Sequence, residues 1–292
     1  MRTALISAAD AEYFPLLRGW AYSILEHRPN SSIDLWVLNV GLEADQAEEL
    51  KFLGVGCVSP QWDFDFADRP PAPHWYQAMT ARPMLPKYFP DAEILIWIDS
   101  DAWLQDWRAI DALVAAASSA DIAAVIETHP AYAHPSTDPQ MRRFYAASFG
   151  DEIMQHLIAK PMINSGVFAA PRQSPLWKSW QRWTQIALDA TPHKMSEQNA
   201  LNAAVYCDSL RFQSLPAEFN WICGQSRPMF NPQSRRFTAP TAPFETISIL
   251  HVTPRATAIS PIQTTDGSTR QMPLDYFRFK ESQSAAPGPS KD

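Results

Sequence analysis

The sequence has few cysteines and glycines, and it lacks both a basic cluster and a long apolar run. Its three cysteines show no Cys-x-x-Cys spacing, so neither a disulfide framework nor a zinc site is indicated. With nine glycines and no Gly-x-Gly-x-x-Gly after the first predicted strand, the usual dinucleotide-binding fold is disfavoured. A formal charge of −7 without a basic run argues against nucleic acid as a partner.

No apolar run reaches the roughly 18 residues that a transmembrane helix requires, so no membrane span is predicted. The apolar stretch 4–9 is too short for a signal peptide, and it ends at Asp10. Together with the cysteine pattern, these features predict a cytoplasmic protein. Peripheral contact with the cytoplasmic face of a membrane stays open.

The composition, 46% hydrophobic and 19% charged, is typical of a soluble globular protein. Strands are predicted over 3–9 and 33–40, and each is followed by helical spacing, over 10–27 and 43–52. A further helix is predicted over 77–87. This alternation predicts an α/β fold with a mainly parallel central sheet flanked by helices.

Residues 94–98 are all apolar and are followed directly by Asp99, Ser100 and Asp101. An apolar run without alternation predicts a strand buried on both faces. The two carboxylates would then lie at the carboxyl edge of the sheet, where open α/β folds bind ligands. Because an unpaired buried carboxylate is costly, we expect a cation opposite them, and a divalent ion suits two oxygen ligands.

This strand followed by Asp-x-Asp resembles the nucleotide-sugar glycosyltransferases of the GT-A fold, particularly their family 8-like branch. Other segments match that family's motifs in the same order along the chain: Ala8–Tyr13, Arg82, Asn164–Gly166, Glu197–Asn202 and His251. The resemblance implies a Rossmann-like GT-A fold and a hexosyltransferase-type activity. The enzyme would transfer a sugar from a nucleotide diphosphate donor, expected to be a UDP-sugar, to an acceptor hydroxyl with retention of configuration.

The resemblance also implies a role for each matching residue. Asp99, Asp101 and His251 would bind Mn²⁺ or Mg²⁺ against the donor diphosphate. Gln198 and Glu197 are the implied catalytic residues, which orient the donor sugar. The implied donor-binding residues are Ala8, Asp10, Tyr13, Arg82, Ser100, Asn164 and Ser165.

The matching segments span most of the chain and predict one catalytic domain, 1–282. Its nucleotide-binding part would end near residue 106, and its acceptor-side part would begin near 107. The long excursion 127–161 is expected to line the acceptor site or to form a lid. Residues 283–292 are predicted to be a disordered tail. The expected partners are a nucleotide-sugar donor and a glycan or other hydroxyl acceptor.

Each motif also has a plain structural interpretation. Asp10 and Ser196 are good helix N-caps, and Arg82 alone would be taken for a surface residue. The segment 165–166 could be a β-bulge. Helical spacing also predicts one buried helix face, made by Trp177, Trp180 and Trp183.

After His251 the sequence departs from the family. Pro254 and Thr257 stand where relatives usually place Gly and Lys against the diphosphate, and Arg255 is two residues out of register. This departure leaves open a catalytically weak relative that binds nucleotide or glycan. An Asp-x-Asp phosphatase is less favoured, since its motif follows the first strand, whereas here 98 residues precede Asp99.

Overall fold

The computed structural model describes residues 2–29, 33–66, 73–132, 138–253 and 258–285. Strands and helices alternate through the first part of the chain: β1 Thr3–Ala9, α1 Phe14–His27, β2 Ile33–Asn39, α2 Ala44–Phe52, β3 Gly56–Val58, α3 His74–Ala81, α4 Leu85–Tyr88, β4 Ile94–Ile98 and β5 Ala102–Leu104. The second part continues with α5 Arg108–Ala117, β6 Ile122–Ile126, α6 Pro139–Ile158, β7 Ile163–Pro171, α7 Leu176–Ala190, α8 Ser196–Cys207, β8 Phe212–Leu215, β9 Trp221–Ile222, β10 Met229–Asn231, β11 Arg236–Thr238, β12 Ile249–His251, β13 Ser260–Gln263, β14 Thr269–Met272 and α9 Tyr276–Ala285.

Seven strands form the central sheet in the order β3-β2-β1-β4-β7-β6-β8. Neighbouring strands are parallel except where β7 runs antiparallel to β4 and β6. The mixed, mainly parallel sheet predicted from the sequence is therefore confirmed. Since β1 and β4 are parallel neighbours, Asp10 and Asp99 follow them at the same edge.

Strand β4 is buried on both faces, as its unbroken apolar sequence predicts. Leu95 and Trp97 contribute to the hydrophobic cluster on one side of the sheet. The alternate residues Ile94, Ile96 and Ile98 contribute to the cluster on the other side. The strand is thereby fixed between two packed layers, which gives the acidic residues after it a rigid base.

The tryptophan stripe of α7 belongs to the core, as predicted. Trp177, Trp180 and Trp183 are all buried, and Trp180 is fully so. The Trp180 ring packs edge-on against Phe168 with the centroids 5.3 Å apart. Its indole Nε1–H donates to the carbonyl of Glu197 at 3.0 Å, which fixes the first turn of α8.

A second, three-stranded sheet joins distant parts of the chain. Strand β12 lies between β5, which is antiparallel to it, and β9, which is parallel. His251 is paired with Ala102, and the Val252 amide donates to the carbonyl of Asp101 at 2.9 Å. This ladder therefore brings the end of β12 beside the residues that follow β4.

Two predicted helix boundaries and one N-cap interpretation are wrong. Helix α1 begins at Phe14, and the Asp10 carboxylate instead accepts from the Tyr13 amide at 3.0 Å in the preceding turn. The helix predicted over 77–87 is interrupted after Ala81, because a proline at position 83 lacks the amide hydrogen and clashes with the turn before it. Ser196 does not cap α8, since its hydroxyl accepts from the His193 amide at 2.9 Å.

The long excursion contains a helix of its own, α6, which kinks at Gly150 with φ 78°. The predicted disorder from residue 283 is wrong for 283–285, where α9 continues and the Gln283 carbonyl accepts from Arg235. Residues 133–137, 254–257 and 286–292 lie outside the described residues. They include Pro254, Arg255 and Thr257, where the sequence departs from the family pattern. No helix within the described residues is long and apolar enough to cross a membrane.

Candidate active site

Three side chains converge at the carboxyl edge of the sheet. The ligating atoms of Asp99, Asp101 and His251 all lie within 4.8 Å of one another. His251 Nε2 is 3.2 Å from Asp101 Oδ1 and 3.7 Å from Asp99 Oδ2. The prediction that residues near positions 100 and 251 meet is confirmed.

A chain of hydrogen bonds fixes the orientation of the His251 ring. The Gly166 amide donates to Asn164 Oδ1 at 2.8 Å, so that atom is an acceptor, and Asn220 Nδ2 donates to it at 2.9 Å. Asn220 Oδ1 must then accept from the Nδ1–H of His251, at 3.0 Å. The opposite nitrogen, Nε2, therefore faces the two aspartates, and it would ligate a metal ion after giving up its proton. This is the arrangement of a histidine that ligates a metal ion.

The electrostatics of the cluster call for a cation. Burial lowers the pKa of His251, but Asp101 and Asp99 outweigh it and raise that pKa to about 9. Burial raises the pKa of Asp99 despite the nearby Arg82. The pKa of Asp101 is lowered, because the charge of His251 outweighs the effect of burial. Two carboxylates and an imidazole are suitable ligands for Mn²⁺ or Mg²⁺, so the residues present fit a divalent ion.

Gly166 provides the space for this cluster. A Cβ at position 166 would lie 2.6 Å from Cε1 of His251. It would also lie 2.8 Å from both Asn164 Oδ1 and Asp99 Oδ2. The pairing of β6 with β7 is irregular here, in agreement with the bulge that the sequence suggested at 165–166. A residue with a Cβ would therefore overlap with Asp99, Asn164 and His251 at this position.

Arg82 is a buried linker between three elements and not a surface residue. Its Nη1 donates to Ser165 Oγ at 3.0 Å and to Glu197 Oε2 at 2.8 Å, and its Nη2 donates to Asp99. The guanidinium lies 5.0 Å from the centroid of the Trp97 ring. Burial lowers the pKa of Arg82, but the carboxylates of Asp99 and Glu197 raise it by more, so the pKa is raised overall.

The start of α8 is bound to β7 behind the cluster. Gln198 Oε1 accepts from the Ser165 amide at 3.1 Å and from its hydroxyl at 3.2 Å. Asn202 exchanges hydrogen bonds of 2.8 and 2.9 Å with the backbone of Ile163. Burial raises the pKa of Glu197 to about 7, Arg82 opposing and Asp99 adding to the rise.

A cleft of about 490 Å³ opens in front of the aspartates. Among its lining residues are seven that the sequence predicts for the site: Ala8, Asp10, Tyr13, Arg82, Asp99, Ser100 and Asp101. The other predicted residues do not line the cleft: Asn164, Ser165, Glu197, Gln198 and His251. The structure thus separates a lining group from a supporting group behind it.

Sequence reasoning did not predict four large side chains of the cleft, those of Trp75, Met79, Trp97 and Lys194. Trp75 is an aromatic residue whose exposed fraction is 41%. Lys194 has a signal that could have been used, because it precedes the Glu-Gln motif by only three residues. No role is predicted from the sequence for Asn220 or Glu127, whose contacts with Asn164 join residues far apart in the chain.

The family follows from this geometry and from the sequence. The model of the family described as glycosyl transferase family 8 matches residues 4–254. The chain belongs to glycosyl transferase family 8. The resemblance inferred from the motifs is confirmed, and the protein is a nucleotide-sugar glycosyltransferase of the hexosyltransferase type.

Solved structures share the GT-A fold. The galactosyltransferase LgtC, in complex with donor and acceptor sugar analogs, is 16% identical with a TM-score of 0.59, over 98% of each chain. The apo structure of the bifunctional glycosyltransferase WbbM is 16% identical with a TM-score of 0.56, over 86% of this chain and 46% of WbbM. No curated protein sequence matches the chain.

Replacing Asn220 by alanine should weaken binding of Mn²⁺ by about 10- to 100-fold, since the partner that fixes the His251 ring is lost. Calorimetric titration of the purified protein with Mn²⁺ measures the effect. Gln213→Ala, at an exposed position of β8, is the control. Equal Mn²⁺ affinity in the Asn220 variant and the control would show that this hydrogen bond does not orient the ligand.

Gly166→Ala should lower Mn²⁺ affinity by at least about tenfold, because His251 and Asp99 must move apart to admit the Cβ. Gln213→Ala, at an exposed position of β8, again serves as the control. In a His251→Ala background the same substitution should cost less stability, as the overlap with the ring is gone. If Gly166→Ala lowered the stability equally in that background, the added Cβ would not overlap with the His251 ring.

Proposed function

We propose that this family 8 enzyme transfers a sugar from a UDP-sugar to an acceptor hydroxyl, in a divalent-metal-dependent reaction with retention. The observation that carries the proposal is the convergence of Asp99, Asp101 and His251, because the two aspartates also line a cleft of about 490 Å³, a volume within the range of about 300–1,000 Å³ that is typical of ligand pockets. LgtC, which has the same fold, is a galactosyltransferase whose structure contains donor and acceptor sugar analogs.

In the proposed donor complex, Asp99, Asp101 and His251 hold Mn²⁺ or Mg²⁺. The ion would supply positive charge to the leaving diphosphate as the glycosidic bond breaks. Asp10 and Tyr13 lie in the cleft lining, where an aromatic ring and a carboxylate suit a nucleobase and its N–H group. Ala8 and Ser100 complete the proposed donor surface.

Asn164 and Ser165, which lie behind the cleft, have a different proposed role. The polar atoms of Asn164 and Ser165 bind protein partners, so these residues position other side chains, among them His251 and Arg82. Gln198 and Glu197 would orient the donor sugar from the first turn of α8. The sequence identifies no second carboxylate as a nucleophile, and retention rests on the family resemblance.

The remaining parts of the proposal concern the chain as a whole. Residues 1–282 would form one catalytic domain, with the acceptor bound on the side built from residues after 106. The acceptor is a glycan or another hydroxyl compound. Cytoplasmic placement, with contact to the inner membrane face left open, rests on the sequence.

Release of UDP from a panel of UDP-sugars, with and without acceptor saccharides, tests this function. We expect release that requires Mn²⁺ or Mg²⁺, stops with chelator and rises with the correct acceptor. Nucleotide binding without turnover of any sugar would support the weak relative that the segment after His251 leaves open. Hydrolysis of simple phosphate esters in place of UDP-sugars would contradict the proposal and favour the phosphatase.

A further inference from the structure

Lys194 is an exposed residue that contributes to the lining of the cleft that carries Asp99 and Asp101. Within the described part of the chain, its side chain makes no ion pair, and its Nζ lies 5.7 Å from the centroid of the Phe144 ring. Among the described residues, Arg82 is the other cationic residue that lines the cleft, and it is already bound to the carboxylates of Asp99 and Glu197. Lys194 is therefore the lining cation that remains for a ligand.

The backbone around Lys194 is fixed on both sides. The His193 amide donates to Ser196 Oγ at 2.9 Å, and the Ser196 amide donates back to the His193 carbonyl at 2.9 Å. The His193 ring stacks on Phe144 of α6, with centroids 4.8 Å apart and planes at 24°. The turn is thus braced against α6, and Lys194 extends from it three residues before Glu197.

The charges in the cleft indicate that a further cation is needed to bind an anionic ligand. A divalent ion bound to Asp99 and Asp101 would only cancel their two charges, and Asp10 adds a further negative charge to the lining. A nucleotide diphosphate brings about two more negative charges into a protein whose formal charge is −7. An ammonium without a carboxylate partner lowers the cost of holding such a ligand.

We propose that Lys194 is a donor-binding residue whose ammonium contacts an anionic group of the donor. That group is a phosphate oxygen of the diphosphate or the carboxylate of a uronic-acid sugar, which share the same chemistry. The inference rests on the proposed function, because it takes the occupant of the cleft to be a nucleotide-sugar.

The test is calorimetric titration of the Mn²⁺-loaded full-length protein with UDP, UDP-glucose and UDP-glucuronate. Lys194→Gln should weaken binding by about tenfold and flatten its dependence on salt, whereas Lys194→Arg should restore most of the affinity. Lys178→Gln is the matched control, since Lys178 is an exposed lysine of α7 outside the cleft lining. It should bind all three compounds as the wild type does.

The three compounds distinguish the sources of the anion. An equal loss for UDP and both UDP-sugars assigns Lys194 to the diphosphate, and a loss confined to UDP-glucuronate assigns it to the sugar carboxylate. Unchanged binding of all three by Lys194→Gln overturns the inference and leaves the proposed function standing. Failure of the wild type to bind any of them contradicts the UDP-sugar proposal itself.

Discussion

Asp101→Asn should weaken Mn²⁺ binding and lower sugar transfer at limiting Mn²⁺ by about a thousandfold, while the fold is retained. The substitution removes one unit of charge from the cluster but keeps the shape of the side chain. At an effective dielectric constant near 20, two unit charges about 4 Å apart interact by roughly 4 kcal/mol, and about 1.4 kcal/mol corresponds to one decade. The backbone stays in place because the Asp101 carbonyl accepts from the Val252 amide.

Two measurements check this prediction: Mn²⁺ affinity by calorimetry, and UDP release over a range of Mn²⁺ concentrations. Part of the activity should return at high Mn²⁺, since two of the three ligands remain. Asp111→Asn, which removes an exposed carboxylate on α5, is the control and should behave as the wild type. An unshifted Mn²⁺ dependence in Asp101→Asn would remove this residue from the metal site.

The parts of the fold that the sequence predicted are those with strong local signals. Strand β4 is apolar at every position because it is covered on both faces, so its burial can be read without other information. The acids after it must then lie at the sheet edge. That His251 joins them was implied by family order alone, because it depends on β12 pairing with β5 across the whole chain.

Other parts could not be predicted because their local pattern is weak or their partners are distant in sequence. The buried residues of helix α6 do not lie along one continuous face of the helix. The helix also begins at a proline, and Gly150 within it has a non-helical conformation. The orientation of the His251 ring depends on Asn164 and Asn220, which are 56 residues apart. Lys194 is a candidate because folding places it in the lining of the cleft that also contains Asp99.

Arg82→Gln should destabilise the protein by about 3–5 kcal/mol, the typical cost of removing one partner from a buried ion pair. Asp99 and Glu197 would lose the shared cation, and Ser165 would lose a donor. Glutamine is too short and uncharged to replace a guanidinium that binds both carboxylates. Denaturant unfolding in the absence of divalent ions measures the change in the free energy of unfolding.

The matched control is Arg182→Gln, which removes an exposed arginine paired with Asp208. Because solvent screens that pair, its loss should cost less than about 1 kcal/mol. Combining Arg82→Gln with Glu197→Gln should restore part of the stability, since the second change removes one of the carboxylates left without a cation. If Arg82→Gln cost no more than Arg182→Gln, the buried guanidinium would not hold β4, β7 and α8 together. The positioning role proposed for Ser165 would then lose its basis.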